Sequence, residues 1–272
     1  ITVHNSLEKL TPKRIWIKPT LIVTGIAIIF STLGILRVKH NNYVYENMGE
    51  KDEITSIMNF MEYDMYGIRD LTITISLKDS NASLFDRSIL SQLDKIETFV
   101  ENEYQATINV GLATAAKQVN RALNGGFSSQ FRIPEDEYEA KQVRSKLIKN
   151  AKILKLKGFV SRENNSTFIQ TKAKDFGSYE TRKTNRELLA FAKINTPDLE
   201  VNFGGNAFII DETNVNVSNN MIWNLVVIVL FIFLIISYIF KSISIGFFSL
   251  FPNILPLIAI TAIVGWFDFG MN

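Results

Sequence analysis

Cysteine is absent from this 272-residue chain, and histidine occurs only twice, as His4 and His40. Without cysteine there is no thiol nucleophile, and there are no disulfides of the kind that a large eukaryotic cell-surface domain often carries. The motifs G-x-S-x-G and H-E-x-x-H are also missing. The sequence therefore predicts a protein that is not an enzyme and that uses no metal or cofactor.

Charge is missing from two long runs, 221–240 and 243–267. A bilayer core of about 30 Å takes roughly 20 apolar residues of helix, so each run predicts a transmembrane helix. A third apolar run, at 20–36, predicts a retained transmembrane helix. A cleaved signal peptide is the alternative, but no small-residue cleavage site follows Leu36. The expected fold class is an α+β membrane protein with three transmembrane helices.

Lysine and arginine near the helix ends predict the orientation of these helices. Four basic residues lie within 1–19, which we interpret as a cytoplasmic amphipathic linker, and Lys241 lies between the second and third helices. The expected topology has the N-terminus in the cytoplasm and residues 37–220 outside. A large outer domain without cysteine is typical of a periplasmic domain, so the expected location is the bacterial inner membrane.

The outer region alternates between strand-like and helix-like patterns. Runs with period-two alternation and β-branched residues predict strands, and apolar residues at helical spacing predict helices between them. The pattern occurs twice, at 71–111 and 167–205, and each unit closes with a glycine. We interpret the pair as a ferredoxin-like α+β domain of the porter type. Its balanced charge argues against nucleic acid as a partner. The predicted strands are 71–77, 106–110, 167–173 and 199–203, and the crossover helices are 85–103 and 179–193.

The end of the chain carries a short basic turn at Lys241, the element Pro252-Asn253-x-x-Pro256 and a segment between Gly265 and Gly270. These residues resemble the second and third helices of an RND-superfamily exporter half, more narrowly the MMPL and sterol-sensing-domain branch. Asp268 stands where that family often has glycine. The Y-G-I-R stretch at 66–69 resembles the start of the family's periplasmic domain.

The resemblance implies part of a proton-driven exporter that moves lipids or other hydrophobic molecules, and a fragment from the start of the second repeat. The expected partners are membrane lipids, a hydrophobic or lipid substrate, the remaining transmembrane helices of the same polypeptide and, in a homo-oligomer, further copies. A membrane-anchored periplasmic ligand-binding sensor or accessory subunit is the alternative. Because 221–240 and 243–267 carry no charged residue, the coupling residues are expected beyond Asn272.

Proline removes a backbone hydrogen bond and kinks a helix, so Pro252 and Pro256 predict an irregular helix whose freed carbonyls need other partners. The alternative is that these prolines mark the cytoplasmic beginning of the helix. The candidate transport-pathway residues are Pro252, Asn253, Pro256, Gly265, Gly270 and Asn224.

Overall fold

The computed structural model describes residues 29–34, 41, 43, 53–65, 67–149, 160, 161, 163 and 165–267. The chain divides into two compact units. We call Asn42–Val215 the sheet unit, and Ile1–Asn41 together with Asn216–Asn272 the helical unit.

Within the described part of the sheet unit, four strands form one sheet in which every neighbouring pair is antiparallel. They are β1 (Arg69–Leu77), β2 (Thr107–Val110), β3 (Ser166–Ala173) and β4 (Leu199–Gly204). The order across the sheet is β2-β3-β1-β4, so β1 and β3 are the central strands. Their register places Ile73 opposite Ile169.

Helices connect the strands in two matching units. The first crossover helix joins β1 to β2 and the second joins β3 to β4, which is the split βαβ arrangement of an α+β fold. Besides a helical segment at 29–34, the described helices are α1 (Glu53–Asp64), α2 (Arg87–Glu103), α3 (Leu112–Leu123), α4 (Glu137–Lys149), α5 (Gly177–Asn195), α6 (Asn206–Ile239) and α7 (Ile243–Phe267), with a 3₁₀ turn at Ser128–Gln130.

The core lies between the crossover helices and one face of the sheet. Apolar residues of α2 recur every three or four positions and are fully buried, as are Leu188 of α5 and the inward residues Ile73 and Ile169. Full burial of such a side chain stabilises a fold by about 1.5–3 kcal/mol. The buried stripe of α2 consists of Ile89, Leu93, Ile96 and Val100.

Within the helical unit, residues 29–34 pack closely against α7. The rings of Phe30 and Trp266 stack with centroids 4.7 Å apart, and the Trp266 indole N–H donates to the Phe30 carbonyl at 3.0 Å. A Cβ on Gly34 would lie 2.6 Å from the Ala262 carbonyl oxygen. Glycine at position 34 therefore lets the backbone at 29–34 approach α7 directly.

The structure corrects the prediction of membrane-spanning helices. Counted over the residues that it describes, no helix is both long enough and apolar enough to cross a membrane. This finding contradicts the spans predicted at 20–36, 221–240 and 243–267. It also contradicts the predicted fold class of an α+β membrane protein and the predicted inner-membrane location with a periplasmic domain. The structure has an α+β fold with a four-stranded antiparallel sheet.

Of the uncharged runs, 243–267 coincides with α7, whereas 221–240 does not coincide with the helix that contains it. Within 20–36 the structure describes 29–34, which are helical. The helix that contains 221–240 begins much earlier, at Asn206, and its first section carries Asp211 and Glu212. An uncharged run therefore does not by itself specify a spanning helix.

Candidate functional site on the open face of the sheet

The sheet has one apolar face and one polar face because β1 alternates strictly. Leu71, Ile73 and Ile75 point into the core, while Thr72 and Thr74 lie on the opposite face. Thr72 pairs with Gln170 of β3, and Thr74 stands between Phe168 of β3 and Asn202 of β4. The face away from the helices is therefore rich in hydroxyl and amide groups.

A groove of about 410 Å³ lies on this polar face. Small-molecule sites commonly enclose about 300–1,000 Å³, so the groove is large enough for a small ligand. Its lining combines hydroxyl and amide groups with threonine methyl groups and one aromatic ring. The lining residues are Thr72, Thr74, Ser161, Ser166, Thr167, Phe168 and Gln170.

Hydrogen bonds fix the rim of the groove. The Ser161 hydroxyl donates to Asn165 Oδ1 at 2.8 Å and accepts from the backbone N–H groups of Asn165 and Ser166 at 3.2 and 3.1 Å. The hydroxyl oxygens of Ser76 and Ser166 are 3.2 Å apart, within hydrogen-bonding distance across β1 and β3. The polar groups of the rim are thus held in place before any ligand binds.

Thr167 lies opposite Ile75 of β1, so its side chain is on the core side of β3 and not on the polar face. The residue is only 3% exposed, and its hydroxyl oxygen is buried without a hydrogen-bond partner among the described residues. A buried polar group left unsatisfied costs about 1–3 kcal/mol.

A buried ionic cluster surrounds Arg69, the first residue of β1. Arg69 is 3% exposed and donates from Nη1 to Asp211 Oδ2 at 2.7 Å and from Nε to Asp175 Oδ1 at 3.1 Å. The carboxylate of Glu62 accepts from the backbone N–H groups of Ile68 and Asp175 at 3.2 and 2.9 Å. The cluster joins α1, β1, the β3–α5 loop and the start of α6.

Two opposing effects act on the pKa of the Asp211 carboxyl group. Burial raises the pKa of its carboxyl group, while the positive charges of Arg69 and Arg182 lower it. The bidentate contact with Arg69, at 2.7 and 3.4 Å, favours the ionised carboxylate. The group therefore serves as a structural ion-pair partner.

Glu97 is a second buried carboxylate, only 1% exposed. It accepts from the backbone N–H groups of Ala113 and Thr114 at 2.9 and 2.7 Å, and from the Thr114 hydroxyl at 2.6 Å. Burial raises the pKa of Glu97, and these hydrogen bonds offset part of the rise. Because it satisfies free N–H groups in the first turn of α3, Glu97 acts as a helix cap supplied from α2.

The predicted pathway residues do not form one described site. Asn224 in α6 and Pro256 in α7 are both exposed. Pro252, Asn253 and Gly265 belong to α7, but their side chains lie outside the description, as does Gly270 altogether. The roles expected of these six residues stay predictions.

Sequence reasoning missed the ionic cluster, the Glu97 cap and the groove. Glu97 had a local signal, because it follows Leu93 by four residues and precedes Val100 by three, on the apolar stripe of α2. Arg69 and Asp211 have no such signal, since they are distant in sequence. In the described part of the chain, no group of three or more His, Asp or Glu side chains is placed to hold a metal ion.

No family model matches this chain, and no curated protein matches it. The resemblance to RND-superfamily exporters therefore remains a prediction.

Proposed function

We propose that the chain is a non-catalytic component of a larger assembly that moves hydrophobic molecules, as its resemblance to RND-superfamily exporters of the MMPL branch implies. The observation that supports this proposal most is the uncovered apolar surface of α6. The role assigned to that surface is contact with hydrophobic molecules and with other apolar helices.

The apolar surface extends around the whole circumference of α6. Four successive residues, Leu225, Val226, Val227 and Ile228, are exposed by 51, 49, 53 and 57%. Consecutive residues of an α-helix are about 100° apart, so these four together point to all sides. Large exposed apolar patches mark interaction sites, which supports a role in binding apolar partners.

The two buried carboxylates have structural partners. Glu97 is occupied as a cap of α3, and Asp211 is occupied by Arg69. A general acid or base needs access to a substrate proton. Neither group is accessible, so both fit a structural role better than a chemical one.

The groove on the sheet favours a second candidate, a ligand-binding sensor or accessory subunit. Its volume of about 410 Å³ and its fixed rim fit a small-molecule site. In this case the apolar helices hold the chain to a partner, and the sheet unit responds to the ligand.

Binding of a dansyl-labelled fatty acid to the purified full chain tests the apolar surface directly. The triple variant Leu225→Ser, Val226→Ser, Val227→Ser removes three exposed apolar side chains. We expect its affinity for the probe to fall at least about tenfold, since each buried side chain contributes about 1.5–3 kcal/mol. Asn216→Ser, an exposed polar position of the same helix, is the matched control and leaves affinity unchanged. Equal affinity of the wild type and the triple variant overturns the proposal.

A further inference from the structure

We infer that the groove on the open face of the sheet is a binding site for a neutral, polyhydroxylated ring of the saccharide class. The inference names a ligand class for the groove and so rests on the second candidate function, not on the apolar surface of α6. It depends on three features: the chemistry of the residues that line the groove, the strand register that spaces them and the hydrogen bonds that fix the rim.

The lining matches a ligand that carries many hydroxyl groups. Hydroxyl and amide side chains can each donate and accept, as sugar hydroxyls do. None of the described lining residues carries a charge, so they offer no ion-pair partner that would select an anion or a cation. The methyl groups of Thr72 and Thr74 and the ring of Phe168 supply apolar contacts for the C–H groups of a sugar ring.

Strand register spaces the polar groups regularly. Thr72 and Thr74 lie two residues apart on one face, about 6.6 Å along β1. Gln170 lies directly opposite Thr72 on the neighbouring strand. Three hydrogen-bonding side chains therefore border one small area from two directions, as hydroxyls distributed around a ring require.

The local backbone keeps this arrangement open. Gly205 has a φ of +88°, and a Cβ there would lie 3.0 Å from Thr72 Oγ1. Glycine at this position lets the chain turn from β4 into α6 without pushing the Thr72 hydroxyl aside.

An extended peptide fits this groove less well than a sugar. Peptides commonly add to a sheet through the free backbone groups of an edge strand. The groove instead lies over β1 and β3, the two central strands, whose backbones are paired with neighbours on both sides. Recognition there depends on side chains, which favours a ligand read through its hydroxyl groups.

Saturation-transfer NMR on the purified full chain tests the inference, with glucose and maltose as probes at millimolar concentration. Thr74→Val keeps the shape of the side chain and its preference for strands but removes the hydroxyl. Gln170→Met removes the amide of an exposed side chain. We expect each variant to bind the sugars about three- to tenfold more weakly than the wild type, the usual effect of one lost hydrogen bond.

Thr107→Val is the matched control, because Thr107 is exposed on β2 and outside the groove lining. Unchanged binding by this variant, with weaker binding by the other two and unchanged melting temperatures in all three, supports the inference. Absence of saturation transfer to both sugars overturns it. So does tighter binding of glucose 6-phosphate than of glucose, or binding of tetra-alanine without binding of either sugar. Loss of fatty-acid binding in the α6 variant leaves these results unaffected, so the two proposals fail separately.

Discussion

Arg69 in β1 and Asp211 in α6 form a buried ion pair with a nitrogen–oxygen distance of 2.7 Å, although 142 positions separate them in the chain. Asp175 lies on the other side of the same guanidinium group at 3.1 Å. The first section of α6 is thereby fixed to the central part of the sheet. Breaking the pair would leave a charge buried without its partner, which is costly.

Replacement of Asp211 by asparagine should destabilise the sheet unit. The variant keeps the size of the side chain but leaves Arg69 with only one close carboxylate, and loss of one partner of a buried pair costs about 3–5 kcal/mol. Urea unfolding of the full chain measures the change. Glu212→Gln, at the next position, is the control and should shift the free energy of unfolding by less than about 0.5 kcal/mol. Equal effects of the two substitutions would show that the ion pair does not hold α6.

Substitution of Gly111 by alanine should also be destabilising, for a steric reason. The backbone at Gly111 is extended, but an added Cβ would lie 2.5 Å from Glu97 Oε1. Moving Glu97 away would break its hydrogen bonds to α3, at a cost of about 1–3 kcal/mol. Gly204→Ala is the control, because a Cβ there meets nothing within 4 Å. Thermal unfolding that is the same in both variants would contradict the close contact.

Glu97 should make stability depend on pH. Its pKa in the folded protein is raised above the ordinary value of 4.5, chiefly by burial. A raised acid pKa means that its contribution to stability is full below about 4.5 and is lost as the pH rises through the folded value. The loss approaches about 1.4 kcal/mol per pH unit within that window.

The variant Glu97→Gln isolates this effect. Urea unfolding between pH 4 and pH 8 should show a smaller decrease in the free energy of unfolding for the variant than for the wild type. The variant should also be less stable at pH 4, because an amide cannot accept at both oxygen positions. Parallel pH profiles for the two proteins would show that Glu97 does not titrate in this range.

The sheet could be predicted from the sequence because its signal is local. Alternation of β-branched and polar residues marks 71–77 and 167–173, and the structure has β1 and β3 at those places, each within two residues of the predicted bounds. The predicted crossover helices at 85–103 and 179–193 likewise correspond to α2 and α5. The apolar spacing at 135–156 also predicts a helix, of which α4 covers Glu137–Lys149, and 150–156 lies outside the described residues.

The groove and the ionic cluster could not be predicted because they depend on contacts between distant residues. The groove requires Thr72 to face Gln170, and that register is set only when β1 pairs with β3. Local periodicity in the sequence predicts helices and strands, whereas the groove and the ionic cluster depend on how those helices and strands pack together.

Accumulation of Nile red in cells tests the proposed role in moving hydrophobic molecules most directly. Cells that lack the protein should retain more of the dye than cells that produce the wild type. The triple variant at Leu225, Val226 and Val227, at equal abundance, should retain as much dye as cells without the protein, and Asn216→Ser should match the wild type. Equal dye retention in cells with and without the wild-type protein would contradict the account.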